Sequence, residues 1–467
     1  MSINTTQLTT NFQTRLNNLT GTETSEEILS LTAALNNITS NRFMSVTSYS
    51  QLPNLNTNSI PSGTLIFVEQ LNVFLMSVGT QWRGVDGRTL SFTPTTMYSW
   101  GRNNTGQLGD GTITDRSSPG TIISSGINNW TKVSAGREYS LAITSNGIAY
   151  GWGYNGNGTL GNGTTVSTLN PVAVVGGIIN WSSISAGAYH SLGVTSAGVA
   201  YAWGRNGEGA LGDGTSVNKS SPVSVIGNLN WTQVSSGRLH SLGVTNTGIA
   251  YGWGLNTSGK LGNGTTTNTS SPVSIIGVNN WSQVSAGYNH SIGVTSGGIA
   301  YGWGDNTNSR LGTNGISPSS PGTVIGGINN WSQVSAGAKH NLGITSTGRA
   351  YGWGANVDGQ LGDGSTVQRS SPVSVIGGFT NWSQVSAGSN IYVFGGAGAG
   401  ASVGLTSAGR AYVWGSNIDG ELGDGTAVSK SSPVEVVGGI TTWSQVSAGA
   451  TFSTNPQRGI HMLGLVT

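Results

Sequence analysis

The chain has 467 residues, of which 76 are glycine and 8% are charged; it has no cysteine, and its formal net charge is +2. Helical bundles need more Ala, Glu, Lys and Leu than this, and disulfide scaffolds, thiolate metal sites and cysteine nucleophiles need cysteine, so these classes are excluded. Nineteen Lys and Arg residues are too few for a dense phosphate-binding stripe, so we expect no nucleic-acid partner.

Residues 1–45 predict a short helical segment. Apolar side chains recur at helical spacing, at Leu8, Phe12, Leu16 and Leu19 and again at Ile28, Leu31, Leu35 and Ile38. The second set forms a short heptad seam. We predict that this segment attaches the chain to a partner and forms a small homo-oligomeric bundle; the alternative is a pair of helices packed on the rest of the chain. We find no signal-peptide pattern and no apolar run long enough to cross a membrane, so we expect no membrane insertion.

Residues 46–89 predict a small β module. The runs at 63–69 (GTLIFVE) and 72–77 (NVFLMS), followed by Gln81 and Trp82, are typical of a β-meander. The pattern S-Q-L-P-N, S-G-T-L-I-F-V, W-R-G-V across residues 50–85 resembles short modules of tailed-phage structural and fibre proteins. That resemblance implies that residues 1–89 dock to other virion proteins.

Tryptophan repeats dominate residues 90–467. Successive members of each series are 50 to 52 residues apart, and the last pair in each series is 61 apart. The first series, in which each tryptophan precedes glycine, is Trp100, Trp152, Trp203, Trp253, Trp303, Trp353 and Trp414; the second is Trp130, Trp181, Trp231, Trp281, Trp331, Trp382 and Trp443. Because each unit contains about four short strands separated by turns, it has the size of a propeller blade. We interpret these tryptophans as core between blades.

The seven units predict an all-β, seven-bladed β-propeller that both ends of the repeat region close. The first W-G strand lacks a preceding strand, and the final residues, 462–467, lack a following one. The two ends therefore complement each other in one blade, and closure removes exposed sheet edges. Removing the last six residues should open the ring.

The repeat carries a recognisable signature. The pattern A-G-x-x-H-S-L-G-V-T, G-x-A-Y-x-W-G-x-N-x-x-G-x-L-G-D-G-T, S-S-P-V resembles the regulator of chromosome condensation repeat over residues 90–467. That family implies a seven-bladed propeller with a shared closing blade. Its members include a nucleotide-exchange factor for a small GTPase, plant photoreceptors and bacterial β-lactamase inhibitors, so the fold alone does not give the function. The family's photoreceptor role uses tryptophans within the G-x-x-H loop; this chain has none there, so we reject that role.

Strand direction places two sets of loops on one face, which we call face X. It carries the A-G-x-x-H loops and the loops that follow W-G, whereas the nearly constant T-S-x-G turns lie on the opposite face, face Y. The face X loops vary between repeats, and variable loops on a rigid scaffold commonly bind partners. From the first five A-G-x-x-H loops we predict partner-binding residues Arg137, Glu138, Tyr189, Arg238, Leu239, Tyr288 and Lys339.

Two neighbouring repeats carry insertions in this same loop. One lies between Gly388 and Ala401, and the other between Gly449 and His461. From them we add the candidate partner-binding residues Ile391, Tyr392, Val393, Phe394, Phe452 and Arg458. An exposed run such as residues 391–394 would be costly unless it met something. The alternatives are neutral loop variation or packing against the chain's own N-terminal part.

Catalytic and metal-binding patterns have simpler structural explanations. His190, His240, His290, His340 and His461 share one repeat position, and we expect each to bond backbone within its own blade. Ser402 lies in a G-x-S-x-G match but at an ordinary strand start, whereas a nucleophile elbow needs a strand-to-helix turn. The G-x-G-x-x-G match at 151–156 precedes no helix. The aspartates of L-G-D-G-T alternate with Asn162 and Asn263, as turn chemistry requires. We therefore expect no enzyme activity, no cofactor and no metal.

The phage-like segment, the low charge, the missing signal peptide and the abundance of Asn, Thr, Ser and Gly lead to a first hypothesis, beside which two alternatives stand. The first is a non-enzymatic phage virion appendage, tail- or fibre-like, assembled in the host cytoplasm, whose propeller presents loops to a host surface receptor. The alternative is a protein-binding regulator that resembles an exchange factor or an inhibitor and acts through face X. A third hypothesis is a sugar-binding propeller.

Overall fold

In this computed structural model, the described residues are 44–46, 64–68, 73–78, 81–84, 95–123, 126–313, 318–392, 400–453 and 459–467. The chain divides into two compact units, Met1–Thr93 with Ser125–Ile127 and Pro94–Ser124 with Asn128–Thr467. The predicted helical segment lies outside the described residues, apart from its last two positions. The domain boundaries drawn from the sequence stay predictions.

The first unit contains a four-stranded sheet. Strands β2, β3 and β4 form the antiparallel meander expected from the sequence, and β1 adds to β2 in parallel. Their bounds are β1 Met44–Val46, β2 Leu65–Val68, β3 Val73–Val78 and β4 Gln81–Gly84. The buried Ser77 hydroxyl accepts a hydrogen bond from the Thr64 amide at 2.9 Å.

The second unit is a propeller of seven four-stranded antiparallel sheets, which confirms the predicted fold class. Blades 1 to 3, each from inner to outer strand, are β7 Trp130–Ala135, β8 Tyr139–Thr144, β9 Ala149–Gly153 and β10 Thr168–Ala173; β11 Trp181–Ala186, β12 His190–Thr195, β13 Ala200–Gly204 and β14 Lys219–Ser224; β15 Trp231–Ser236, β16 His240–Thr245, β17 Ala250–Gly254 and β18 Thr269–Ser274. Blades 4 to 6 are β19 Trp281–Ala286, β20 His290–Thr295, β21 Ala300–Gly304 and β22 Gly322–Thr323; β23 Trp331–Ala336, β24 His340–Thr345, β25 Ala350–Gly354 and β26 Arg369–Ser374; β27 Trp382–Ala387, β29 Ala401–Thr406, β30 Ala411–Gly415 and β31 Lys430–Glu435.

Blade 7 closes the ring with strands from both ends of the repeat region, as predicted. Its order is β32 (Trp443–Ala448), β34 (His461–Val466), β5 (Thr96–Gly101) and β6 (Arg116–Thr121). Met462 pairs with Trp100, and Leu465 pairs with Met97. Because β34 lies between β32 and β5, the C-terminal strand connects the inner half of this blade to its outer half.

Four further elements lie in loops. Strands β28 (Ser389–Tyr392) and β33 (Ala450–Ser453) come from the two insertions and pair with each other in parallel, and two 3₁₀ turns span Thr257–Gly259 and Thr307–Ser309. The insertions of blades 6 and 7 therefore join through their main chains.

The repeated tryptophans form the core between blades, in agreement with the sequence interpretation. All fourteen are at most 4% exposed. Trp231 of blade 3, for example, packs with Leu192 and Val194 of blade 2 and lies 5.5 Å from the Trp253 ring, centroid to centroid. Such burial between neighbouring sheets supplies most of the driving force for closing the ring.

Side chains of the preceding blade form hydrogen bonds with backbone groups along the edge of each inner strand. Gln233 accepts a hydrogen bond from the Val284 amide at 3.0 Å and donates one to the Val284 carbonyl at 3.1 Å. Two residues further along both strands, the Ser235 hydroxyl accepts a hydrogen bond from the Ala286 amide at 3.0 Å. The serine is present in all seven blades and the glutamine in five, since Lys132 and Ser183 replace it in blades 1 and 2. The S-Q-V-S-A motif thus solves the problem of an unpaired strand edge.

Candidate functional site

Hydrogen bonds between loops establish which loops share face X. The amide of the residue after W-G donates to the carbonyl that precedes the histidine position, as from Arg205 to Tyr189 at 2.9 Å and from Leu255 to Leu239 at 2.8 Å. The same bond occurs in all seven blades. The two variable loop sets therefore lie together at one end of the propeller.

Small residues form the mouth of the central channel on this face. One glycine from each blade rings it: Gly136, Gly187, Gly237, Gly287, Gly337, Gly388 and Gly449. A Cβ atom on Gly237 would lie 2.6 Å from the Gly287 carbonyl oxygen of the next blade, so a larger residue would push the blades apart. A cavity of about 90 Å³ remains at the mouth, lined by the inner strands of all seven blades together with Arg238 and Tyr288.

Arginines stacked on tyrosines lie on one side of this cavity. The Arg238 guanidinium lies 4.4 Å from the Tyr288 ring centroid. On the neighbouring blades, Arg137 and Arg205 lie 4.9 Å and 5.5 Å from the centroid of Tyr189. A guanidinium held on an aromatic face keeps its charge while it loses conformational freedom, so these cations are ordered before any ligand arrives.

The remaining cations of the region are partly or wholly buried. The Lys260 ammonium donates to the Asn289 side-chain oxygen at 2.9 Å, and burial, assisted by the positive charge of Arg238, lowers the pKa of Lys260 to about 8. Arg310 donates to the Ala338 carbonyl at 3.1 Å and lies 3.6 Å from Asp305. Arg102 pairs with Glu138 at 2.9 Å, and Arg205 pairs with Glu208 at 2.7 Å.

The structure groups most of the residues predicted from the first five loops. Arg137, Glu138, Tyr189, Arg238 and Tyr288 are half-buried on face X, and Lys339 is half-buried in the corresponding loop of blade 5. Leu239, by contrast, is 7% exposed and contributes to packing.

The insertion residues are described only in part. Ile391 pairs with Phe452 and Tyr392 with Ser453 along the main chain of β28 and β33. Val393, Phe394 and Arg458 lie outside the described residues. The assignment of all thirteen candidate residues to partner binding stays a prediction.

Sequence reasoning missed the buried cations of the site. Lys260 and Arg310 precede the Leu-Gly pair of their repeats, where four other repeats have Gln107, Thr159, Ala210 and Gln360. A charge at a position that is neutral in four of the seven repeats is the signal that could have identified them.

The repeated histidines link blades to one another, so the expectation of bonds within one blade was wrong. The Ser241 hydroxyl donates to the Ala210 carbonyl at 2.7 Å, and its oxygen must then accept from His190 Nε2 at 2.8 Å. His190 is therefore protonated on Nε2. Burial lowers the pKa of His190 to about 3, so the ring is neutral.

The same link recurs around the ring with a single break. His240 bonds Ser291, His290 bonds Asn341, His340 bonds Ser402, His461 bonds Ser140, and Tyr139 bonds Ser191. Between blades 6 and 7, however, Ala401 and Met462 occupy the two positions and cannot form the bond. Strands β28 and β33 pair at this junction.

The aspartate turns are satisfied by protein groups. The Asp213 carboxylate accepts hydrogen bonds from the Asn206 side-chain amide at 3.0 Å, from the Thr215 backbone amide at 3.0 Å and from the Thr215 hydroxyl at 2.8 Å. Over the described ranges, no three His, Asp or Glu side chains are placed to hold a metal ion. Ser402 is likewise engaged, because its hydroxyl donates to the Gln360 carbonyl at 2.8 Å.

Comparison with known proteins shows the family. The sequence model of the RCC1-like domain matches residues 86–394 and 180–455, which together cover more than half of the chain. This chain belongs to the RCC1-like domain family.

Matches to individual relatives cover shorter stretches. The chain is 34% identical over 127 residues to the ultraviolet-B receptor UVR8 of Arabidopsis thaliana, which is 27% of this chain and 29% of that protein. It is 35% identical over 136 residues to the human probable E3 ubiquitin-protein ligase HERC4, which is 28% of this chain and 13% of that protein. The alignments thus span less than a third of either relative's length.

Solved structures confirm the RCC1-like fold. Human WBSCR16 is 21% identical with a TM-score of 0.67, covering 80% of this chain and 99% of that chain. Prp20p of Saccharomyces cerevisiae, in a structure described with its binding properties to Gsp1p and histones, is 19% identical with a TM-score of 0.68, covering 81% and 92%. At these identities the likeness concerns the fold alone.

The family corrects the virion hypothesis. The relatives are cellular proteins of plant, animal and yeast origin, so the predictions of a virion appendage, docking to other virion proteins, a host receptor and a virion location were wrong. Those predictions rested partly on the similarity of residues 50–85 to phage modules, and that similarity is not supported. The predicted homo-oligomer belonged to the same set of partners and is withdrawn with it. Within the described ranges, no helix is long and apolar enough to cross a membrane.

Proposed function

We propose that this RCC1-like propeller is a non-catalytic regulatory module that binds another protein through face X. The observation that carries the proposal is the channel mouth, where stacked arginines from three neighbouring blades lie beside a cavity on one face of the ring. Preorganised Arg and Tyr side chains are the residue types that contribute most to protein interfaces.

The two faces differ in a way that supports this assignment. The T-S-x-G turns of face Y are nearly constant in sequence, whereas the loops of face X vary and include both insertions. The family gives further support, because the structure of Prp20p is described with two protein ligands, Gsp1p and histones. Protein binding is therefore the activity that fits both the surface and the family.

Charge reversal on each face tests the proposal. We would compare the proteins that cross-link to the wild-type chain in its native cell extract with those that cross-link to Arg137→Glu, Arg238→Glu and Arg349→Glu. Arg349 is exposed on face Y and serves as the matched control. We expect the two face X variants to lose the same proteins at least tenfold, while Arg349→Glu retains them.

Two controls make the comparison decisive. The variants should keep the wild-type tryptophan emission spectrum, since the ring tryptophans report whether the propeller is closed. An unchanged cross-linked set in both folded face X variants, or equal losses in the face Y variant, would contradict the proposal.

A further inference from the structure

Positive charge is concentrated on one side of the channel mouth. On face X, the A-G-x-x-H loops and the segments between W-G and the next Leu-Gly of blades 1 to 4 contain five cations and three carboxylates: Arg137, Arg205, Arg238, Lys260 and Arg310 against Glu138, Glu208 and Asp305. Among the described residues, the same loops and segments of blades 5 to 7 contain Lys339 and Arg102 against Asp358, Asp419 and Glu421. The chain as a whole is nearly neutral, with 19 basic and 17 acidic residues. The positive excess is therefore local to blades 1 to 4, the side of the mouth that holds Arg238 and Arg137.

Lys260 shows that the cations act on one another. Its side chain is buried, and its hydrogen-bond acceptor is the neutral amide of Asn289. The charges that act on it are the cations Arg238 and Arg310, opposed by Asp305. An anion at the mouth would relieve this repulsion, and burial strengthens the attraction because the local dielectric is low.

The cavity limits which anion can enter. Its volume of about 90 Å³ accommodates a carboxylate with a few waters, and its walls are the small residues at the ends of the inner strands. A nucleic acid backbone would need a continuous row of basic residues, and this cluster does not continue into one. A carboxylate side chain on an extended polypeptide can place its terminal oxygens inside while its backbone stays on the rim.

Two stacked arginines are positioned to receive such a group. Arg238 lines the cavity, and Tyr288 beneath it orients the guanidinium plane. Arg137, stacked on Tyr189, lies two blades away on the rim, so one acidic segment can contact both. Its carboxylate neighbour within the chain is Glu138, 3.9 Å away, which Arg102 holds more closely at 2.9 Å. Guanidinium groups bind carboxylates through two parallel hydrogen bonds, which gives geometric selectivity as well as attraction.

We propose that the channel mouth binds an acidic segment of the partner protein, with one carboxylate inside the cavity against Arg238 and a second against Arg137. This inference rests on the proposed function and adds the chemistry of the partner.

Peptide binding tests the inference directly. The probes are fluorescein-labelled peptides of ten glutamates and of ten glutamines, measured by fluorescence anisotropy with the full chain. We expect the glutamate peptide to bind at least tenfold more tightly than the glutamine peptide, with an affinity that falls as salt rises. Arg238→Gln and Arg137→Gln should each weaken binding of the glutamate peptide about tenfold, whereas Arg349→Gln on face Y should leave it unchanged. Arg238→Lys should bind between the wild type and Arg238→Gln, because it keeps the charge but loses the stacked, two-pronged geometry.

Three results would overturn the inference: equal affinities for the two peptides, equal weakening by Arg349→Gln, or displacement of the glutamate peptide by inorganic phosphate at concentrations where acetate has no effect. The cross-linking experiment separates the two proposals. If the partners depend on face X but the glutamate peptide does not bind there, the partner chemistry is wrong and the proposed function stands. If the peptide binds but the cross-linked proteins are insensitive to face X, the proposed function fails.

Discussion

Replacing Ser241 by alanine tests whether the histidine links between blades stabilise the ring. The change removes the hydroxyl that donates to the Ala210 carbonyl and accepts from His190 Nε2. Because the Trp253 indole still donates to the Ala210 carbonyl at 2.9 Å, that acceptor keeps a partner. His190 Nε2, which is fully buried, loses its acceptor.

The expected loss follows from these two changes. The missing hydroxyl bond is worth about 1 kcal/mol, and a buried donor without an acceptor costs about 1–3 kcal/mol, so Ser241→Ala should lower the free energy of unfolding by about 2–4 kcal/mol. The measurement is urea unfolding at pH 7.5, followed by tryptophan fluorescence.

A control and a double-mutant cycle complete the test. Ser282→Ala removes an exposed hydroxyl that bonds a carbonyl of its own blade, the Val294 oxygen at 3.0 Å, and should cost less than about 1 kcal/mol. Pairing Ser241→Ala with His190→Leu should recover part of the loss, since leucine leaves no donor to satisfy. A loss no larger than that of the control, or no coupling between the two sites, would refute the reasoning.

Three other predictions follow from the same contacts. Burial lowers the pKa of all five histidines, to about 3 for His190, His290 and His461 and to about 4 for His340. The stability they contribute is therefore complete above pH 6.5 and is lost as the pH falls below it, by about 1 kcal/mol per histidine near pH 5.5. Burial raises the pKa of Glu421 to about 7, so this carboxyl group stabilises the fold as the pH falls below 7 and partly offsets the histidines. Glu421→Gln should therefore make the loss of stability at low pH steeper. A wild-type urea midpoint that stays the same or rises as the pH falls from 7.5 to 5.5 would contradict this. Deleting residues 461–467 removes strand β34 from the middle of blade 7 and should abolish cooperative unfolding, whereas removal of a merely frayed end would leave it intact. Asp213→Asn should change the free energy of unfolding by less than about 1 kcal/mol, because Asn162 and Asn263 already serve this turn, whereas Asn206→Ala should cost about 2–4 kcal/mol through its several bonds, as measured by urea unfolding.

Composition was a poor guide to function. The low charge and the abundance of Asn, Thr, Ser and Gly suggested a virion appendage, yet the same residues are what the blades require. Serine bonds the next inner strand, and asparagine holds the loop after W-G. The composition therefore reflects the architecture of an RCC1-like ring and carries no separate information on its cellular role.

The sequence by itself determined the fold, because the features that define each repeat are local along the chain. The tryptophan period set the number of blades, turn residues separated the strands, and the complementary ends showed how blade 7 closes. It also placed the variable loops on one face, since strand direction alternates regardless of how the blades pack.

Only the tertiary structure decided what lies across each junction between blades. His190 and Ser241 are 51 residues apart, and the bond between them depends on the angle at which two separate sheets meet. The same packing brings Lys260 towards Arg238 and stacks Arg238 on Tyr288. It also pairs β28 with β33 at the junction where Ala401 and Met462 cannot form the side-chain hydrogen bond that links the other blades. A repeat pattern records what each blade needs for itself, whereas the site is made of contacts between different blades, and those exist only once the ring has closed.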